Sequence, residues 1–196
     1  MSPGLQGHLP RLRGGPQSRR PSPRLRGDPT SWGPPPGEAQ GLAVRVLGVD
    51  PGLTATGYGV VEDVAGALQP LARGTIRTGS KASLPDRLAK IYHALRQVVE
   101  EYRPDAVAVE EVYLARNAPS AMLTAQVLGV VKLAAHGCEL RSYAPREIKK
   151  WICGNGSAPK DQMIRMMEHL LATRDLGTDH AADALAVAVC ALFDRR

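Results

Sequence analysis

The chain changes character near residue 43, where a stretch without hydrophobic periodicity gives way to short apolar runs and amphipathic segments. The first part is rich in glycine and arginine and holds nine of the sixteen prolines. Such a composition cannot bury enough apolar surface to offset the entropy lost on ordering. We therefore predict a disordered Pro/Arg/Gly-rich extension at 1–43 and one folded domain at 44–196.

The folded part begins with three predicted strands. An apolar run at 46–49 ends at Asp50, which is followed by the turn residues Pro-Gly. Further runs at 57–61 and 68–78 follow after short connections. Three consecutive strands with short connections predict an antiparallel meander.

A helical pattern comes next and ends in a fourth strand. Ser83 and Asp86 are typical of a helix N-cap and its third residue, and apolar positions recur at helical spacing until Arg103-Pro104. The apolar segment 105–110 then predicts a strand. Because a helix separates it from the meander, we expect it to lie parallel to the first strand through a right-handed crossover.

The remaining pattern completes an α/β domain. It predicts a fifth strand at 138–143 and helices at 120–136, 145–151, 161–171 and 179–192. The expected fold is a five-stranded mixed sheet, a three-strand antiparallel meander plus two parallel strands, flanked by helices. The helix at 120–136 is apolar nearly all round, which predicts packing against more than one surface. The second surface is either elsewhere in the domain or another copy of the chain, so a homodimer is a hypothesis.

Two acids end strands that are otherwise apolar. The carboxyl ends of parallel strands share one edge of a sheet, so Asp50 and Glu110 are expected to meet there. Two ionised carboxylates at short range repel each other unless a cation lies between them. Strand alternation lets only one of Glu110 and Glu111 point inward, and we favour Glu110. The alternative for Asp50 is a cap of the turn that follows it.

The last helix supplies a third acid. Asp183 stands among alanines in an apolar segment, a costly place for a charge that lacks a partner. His180, three residues earlier, shares its face of the helix. Asp179 is interpreted as a helix cap, where the helix dipole favours a carboxylate. We therefore expect Asp183 to join Asp50 and Glu110 as a ligand.

A basic segment precedes a glycine-rich loop. The predicted helix from residue 145 carries Arg146, Lys149 and Lys150, and a predicted flexible loop at 154–160 ends in Lys160. Glycine-rich backbone with nearby lysines favours close approach to phosphate. A surface loop with solvated lysines is the alternative.

Charge and composition narrow the class of protein. The formal net charge is +6, but residues 1–43 hold six arginines and two acids and so carry +4, which leaves +2 for the domain. The basic isoelectric point is therefore weak support for nucleic-acid binding. No apolar run approaches membrane-spanning length, and the three cysteines lack C-x-x-C spacing. We predict a soluble cytoplasmic protein with reduced cysteines.

Three acids on strand one, strand four and a C-terminal helix resemble the arrangement in the RNase H-like nuclease fold. Four blocks, in order along the chain, resemble the signatures of the RuvC family of bacterial Holliday junction resolvases. They are VLGVDPGLTATGYG at 46–59, AVEEVYLARN at 108–117, GNGSAPK at 154–160 and DHAADALA at 179–186.

The resemblance implies a homodimeric, magnesium-dependent crossover junction endodeoxyribonuclease of recombination and repair. Such an enzyme nicks two opposed strands of a four-way DNA junction and leaves 5′-phosphate and 3′-hydroxyl ends. The resemblance also implies two Mg²⁺ ions per active site, replaceable by Mn²⁺, and the RuvAB branch-migration complex as a candidate partner.

Roles for individual residues follow from the same resemblance. It implies that Asp50, Glu110 and Asp183 are catalytic metal ligands. His180 occupies a position where the family has Asp or His, which leaves open whether it is a ligand or a proton-transfer group. The remaining matches imply DNA binding, with Tyr113 stacking on junction bases and further contacts from Arg116, Asn117, Lys149 and Lys160.

Three rival interpretations remain open. The D-P-G-x-T-x-x-G stretch also resembles the phosphate loop of actin-like and sugar-kinase ATPases, although those proteins need a second such domain and the sequence has one copy. Another RNase H-like nuclease could act on different branched nucleic acid. A junction-binding protein with an inactive site would bind without cutting, so metal-dependent cleavage distinguishes it.

Overall fold

A computed structural model describes residues 43–111 and 118–195. These residues form five strands and five helices, and none of the helices combines the length and apolarity needed to cross a bilayer. In chain order the elements are β1 (Ala43–Asp50), β2 (Ala55–Val64), β3 (Ala67–Arg77), α1 (Leu84–Tyr102), β4 (Ala106–Glu110), α2 (Ala118–Ala134), β5 (Glu139–Tyr143), α3 (Pro145–Cys153), α4 (Lys160–Leu170) and α5 (Asp179–Asp194). Apart from Ala43, the predicted extension lies outside the described residues.

The five strands form one mixed sheet in the order β3-β2-β1-β4-β5. The first three strands are antiparallel neighbours, β4 is parallel to β1, and β5 is parallel to β4. The predicted sheet is thereby confirmed. Val49 of β1 lies opposite Val109 of β4, so Asp50 and Glu110 are the next residues on their strands at the same edge.

The helices form a layer on each face of the sheet. The α1 and α2 helices cover one face, where the core includes Leu47, Val107 and Leu95. The other three helices cover the opposite face. The predicted start of α1 is confirmed, because the Ser83 hydroxyl accepts a hydrogen bond from the Asp86 N–H at 3.3 Å.

The α5 helix lies directly on the backbone of β1 and β2. A Cβ atom added to Gly48 would collide with the Ala184 carbonyl oxygen and stand 2.7 Å from the Ala188 nitrogen. A Cβ on Gly57 would collide with the His180 carbonyl oxygen. Glycine at these positions therefore sets how closely the last helix approaches the sheet.

The α2 helix has the predicted apolar character, but only one of its faces is covered within the described chain. Val127 and Val131 are buried in the core that α2 shares with α1 and the sheet, whereas Met122 is 65% exposed and Leu133 61% exposed. Large exposed apolar side chains on one helix face commonly mark an interaction surface.

The close packing of α5 predicts a severe effect of Gly48→Ala. The added methyl group meets backbone atoms of α5, which cannot turn away as a flexible side chain could. We expect a loss of about 3 kcal/mol in the free energy of unfolding, measured by urea denaturation. Gly79→Ala is the matched control, because nothing lies within 4 Å of a Cβ there. Equal stability of the two variants would contradict the close contact.

Candidate active site

Asp50 stands at the end of β1, and its side chain is 20% exposed. Two hydrogen bonds hold the loop after Asp50. The Thr56 hydroxyl donates to the Gly52 carbonyl at 2.7 Å, and the Thr78 hydroxyl donates to the Leu53 carbonyl at 2.5 Å. The Asp50 carboxylate itself lies 2.7 Å from Nδ1 of His180, 130 residues away. This long-range contact, rather than a cap of the following turn, accounts for the position of its side chain.

Glu110 ends β4 beside Asp50 and is half-buried, whereas Glu111 is exposed. The burial of the two residues therefore agrees with the prediction that Glu110, rather than Glu111, points inward. Burial, followed by the charges of Asp50 and Asp183, raises the pKa of Glu110 to about 7, and the charge of Lys149 opposes this shift. A cation arriving at this edge would favour the ionised form of Glu110.

Asp183 lies on the second turn of α5 and is also half-buried. Burial is the largest cause of its raised pKa; Lys160 lowers this pKa, and Asp50 and Asp179 raise it. The three acids thus reach the same edge from β1, β4 and α5 and lie within electrostatic range of one another.

Lys160, the first residue of α4, is a charge partner within this cluster. Its Nζ lies 3.0 Å from Asp179 and 3.9 Å from Asp183, and the hydrogen bond to Asp179 is the main cause of its raised pKa. The pair of Lys160 and Asp179 was missed by the sequence interpretation, because the two residues belong to different helices.

The expected cap role of Asp179 is wrong. Thr178 is the N-cap, with extended backbone angles and a hydroxyl that accepts a hydrogen bond from the Ala181 N–H at 3.3 Å. Asp179 is the first helical residue, and its exposed carboxylate faces Lys160 instead. Threonine is itself a favoured N-cap, so the sequence did contain this signal.

The donor set suits a hard divalent cation, because three carboxylates offer the oxygen ligands that Mg²⁺ prefers. As the side chains stand, no three potential ligands in the described part of the chain already surround a single point. His180 holds Asp50, and Lys160 holds Asp179 and approaches Asp183. A cation bound by Asp183 would compete with the Lys160 ammonium for that carboxylate.

Basic side chains flank the acids. The α3 helix exposes Arg146 and Lys150, and Lys149 is half-buried with its charge acting on Glu110. Between α3 and α4, the Asn155 side chain accepts hydrogen bonds from the Ser157 N–H at 3.0 Å and from its hydroxyl at 2.9 Å. The predicted glycine-rich loop thus contains a hydrogen-bonded turn and leads into Lys160.

Six of the nine sequence-predicted site residues lie in the described chain. Asp50, Glu110, His180 and Asp183 come together, with Lys149 and Lys160 beside them. The other three, Tyr113, Arg116 and Asn117, lie outside the described residues, so their DNA contacts stay predictions.

The part of the chain that contains these site residues is similar to known proteins. The family model described as crossover junction endodeoxyribonuclease RuvC matches residues 46–191. A RuvC of Oleidesulfovibrio alaskensis is 45% identical over 157 residues, covering 78% of this chain and 93% of that protein. A RuvC of Geobacter sulfurreducens is 43% identical over 149 residues, covering 75% of this chain and 91% of that protein.

Solved structures agree in fold. Thermus thermophilus RuvC in complex with a Holliday junction substrate matches with a TM-score of 0.75 and 32% identity, over 78% of this chain and 95% of that one. A yeast mitochondrial Holliday junction resolvase, 13% identical, matches with a TM-score of 0.57 and supports the fold alone. The predicted RNase H-like fold is confirmed.

The raised pKa of Glu110 predicts a pH-dependent stability. The folded-state pKa of about 7 exceeds the ordinary value of 4.5, so the folded protein retains a proton that the unfolded chain releases. The free energy of unfolding should therefore fall as pH rises from about 4.5 to about 7. Allowing for partial exposure, the contribution of this group is about 1–2 kcal/mol.

Urea denaturation across this pH range, in the presence of EDTA, measures the effect. Glu110→Gln should flatten the slope, because the amide does not titrate. Glu111→Gln, at the exposed neighbouring position, should keep the wild-type slope. Identical slopes for both variants would show that Glu110 is not the group responsible.

Proposed function

We propose that this chain, which belongs to the RuvC family of crossover junction endodeoxyribonucleases, resolves four-way (Holliday) DNA junctions by hydrolysing phosphodiester bonds. The observation that carries the proposal is the convergence of Asp50, Glu110 and Asp183 at one edge of the sheet. The reaction takes the form of symmetric nicks that leave 5′-phosphate and 3′-hydroxyl ends, in cytoplasmic recombination and repair.

In this proposal the three carboxylates hold two Mg²⁺ ions, for which Mn²⁺ can substitute. When bound, the ions supply an activated water and offset the charge on the leaving 3′ oxygen. Asp50 and Glu110 are fixed by neighbouring parallel strands, so their spacing depends on the sheet rather than on loops. Asp183 completes the set from the helix above.

His180 contacts Asp50 in the described structure, and Lys160 contacts Asp179 and approaches Asp183. The 2.7 Å contact with Asp50 fixes the orientation of the His180 ring, which suits either a ligand or a proton-transfer group. The Lys160 ammonium is half-exposed beside Asp179 and Asp183. A DNA phosphate would compete with these two carboxylates for the Lys160 ammonium.

The proposed DNA surface extends from this edge across α3. Lys149 and Lys160 face the phosphates, and the exposed Arg146 and Lys150 extend the positive surface. Because the domain carries a net charge of only about +2, the position of these cations matters more than their number. The proposed contacts from the segment after β4 are stacking by Tyr113 and polar contacts by Arg116 and Asn117.

We further propose a homodimer formed through α2. Its exposed face carries Met122, Ala125, Gly129 and Leu133 at helical spacing, and two of these are large apolar side chains. A two-fold axis through this face would give two sites for the two opposed strands of a junction. The RuvAB branch-migration complex is the further partner we propose.

Asp50→Asn should abolish nicking while leaving junction binding within about twofold of wild type, because it removes a metal ligand but no DNA surface. The measurement is cleavage of a labelled synthetic four-way junction and of a linear duplex of the same sequence, with Mg²⁺ and with EDTA. Wild type should make symmetric Mg²⁺-dependent nicks confined to the junction.

The matched control is Asp63→Asn, at the opposite end of β2, which should cut normally. Substantial cleavage by Asp50→Asn would overturn the assignment of the site. Equal cutting of junction and duplex by wild type would keep a nuclease but remove the junction specificity, and tight binding without cutting would favour a binding protein.

Leu133→Glu should convert the dimer to a monomer, because it places a charge in the proposed apolar interface. Sedimentation velocity at several protein concentrations measures the change. Trp151→Ser is the control, since Trp151 is also an exposed apolar residue but lies on α3, on the opposite face of the sheet. A monomeric wild type, or a dimer that survives Leu133→Glu, would argue against this interface.

A further inference from the structure

The first turn of α5 carries His180. Residues of the neighbouring strand β3 contact the N-cap of this helix and the segment that precedes it. We propose that Arg73 and Thr75 of β3 are positioning residues that fix this turn, and with it the contact between His180 and Asp50. The inference rests on the proposed function for its consequence in cleavage, but the contacts themselves can be tested without it.

The three strands place the relevant residues in two neighbouring rows. Asp50 of β1 lies opposite Gly57 of β2, which in turn lies opposite Thr75 of β3. In the next row on the same face, Gly59 of β2 lies opposite Arg73. The first turn of α5 lies over the row formed by Asp50, Gly57 and Thr75. Thr75 of β3 is the residue of this row that is farthest from β1.

Thr75 holds the cap of the helix. Its hydroxyl lies 2.5 Å from the hydroxyl of Thr178, a residue 103 positions later in the chain. The same Thr178 oxygen accepts the N–H of Ala181 at the start of α5. A threonine cap would otherwise be fixed only by its own helix, so the bond from β3 ties the end of the helix to the sheet.

Arg73 holds the segment that leads into the cap. Its side chain is only 5% exposed and pairs with Asp175, whose side chain is 63% exposed. Asp175 also accepts the N–H of Gly177 at 3.0 Å. Gly177 has φ +79°, and a Cβ there would stand 3.0 Å from Nε of Arg73. Arg73 thus packs against the backbone turn immediately before Thr178.

His180 links the position of this first helical turn to the geometry of the site. The His180 carbonyl packs directly on Gly57, while its imidazole contacts Asp50 in the neighbouring strand. A small shift of the first turn would therefore displace the imidazole relative to the carboxylate. Misplacement of a catalytic group by about 1 Å can cost about 100-fold in rate.

Thr75→Val tests the inference, because valine keeps the shape and removes only the hydroxyl. Hydrogen–deuterium exchange at the amides of residues 178–183 should become about five- to tenfold faster, since a loss of about 1 kcal/mol in local opening free energy corresponds to that factor. Under single-turnover conditions with saturating junction and Mg²⁺, cleavage should slow about tenfold, with junction affinity unchanged within twofold. Thr75→Ser should restore both.

Asp175→Asn tests the second contact without burying an altered group in the sheet. It should accelerate exchange in the same segment. Asp161→Asn is its matched control, because Asp161 also pairs with an arginine, Arg165, but both residues of that pair are exposed on α4. The control should leave the exchange of residues 178–183 and the cleavage rate unchanged.

Unchanged exchange and cleavage in Thr75→Val would overturn the inference. Faster exchange throughout the chain would also overturn it, because it would indicate a general loss of stability. If wild type fails to cut junctions, the proposed function fails, yet the exchange data still decide whether β3 fixes the start of α5.

Discussion

Direct contact between α5 and the backbone of β1 and β2 is the constraint on which the site depends. Asp50 and Glu110 are fixed by the sheet, but His180 and Asp183 belong to a helix whose height above the sheet could vary. Glycines at positions 48 and 57 remove the side chains that would hold this helix away. Packing and chemistry are therefore coupled, because a change that lifts α5 also separates the acids.

The close approach of the acids at this edge of the sheet is electrostatically unfavourable. Burial and mutual repulsion raise the pKa values of Glu110 and Asp183, so at neutral pH the cluster works against folding. The chain offsets part of this cost within the cluster, because Lys160 pairs with Asp179 and His180 contacts Asp50. The acidic cluster is thus less favourable for folding than its surroundings, as expected where ligand binding rather than stability determines the residues.

The sequence allowed the sheet and its acidic edge to be predicted because both follow from local rules. Apolar runs define strands, and the crossover rule brings Asp50 and Glu110 to one edge. The cap at Thr178 was mistaken for Asp179 because both residue types favour that position and only the backbone angles distinguish them. The ion pair of Arg73 with Asp175 could not be foreseen, since it depends on strand register and on the path of a distant loop.

The placement of α2 makes the proposed dimer compatible with the proposed cleavage. It packs on one face of the sheet with α1, whereas α3, α4 and α5 occupy the other and carry Lys149, Lys160, His180 and Asp183. A partner on the exposed face of α2 would leave the opposite face and the acidic edge accessible to DNA. An interface through α3 or α5 would instead cover the cations proposed to bind phosphate. In the proposed dimer, α2 is therefore the surface that leaves the site unobstructed.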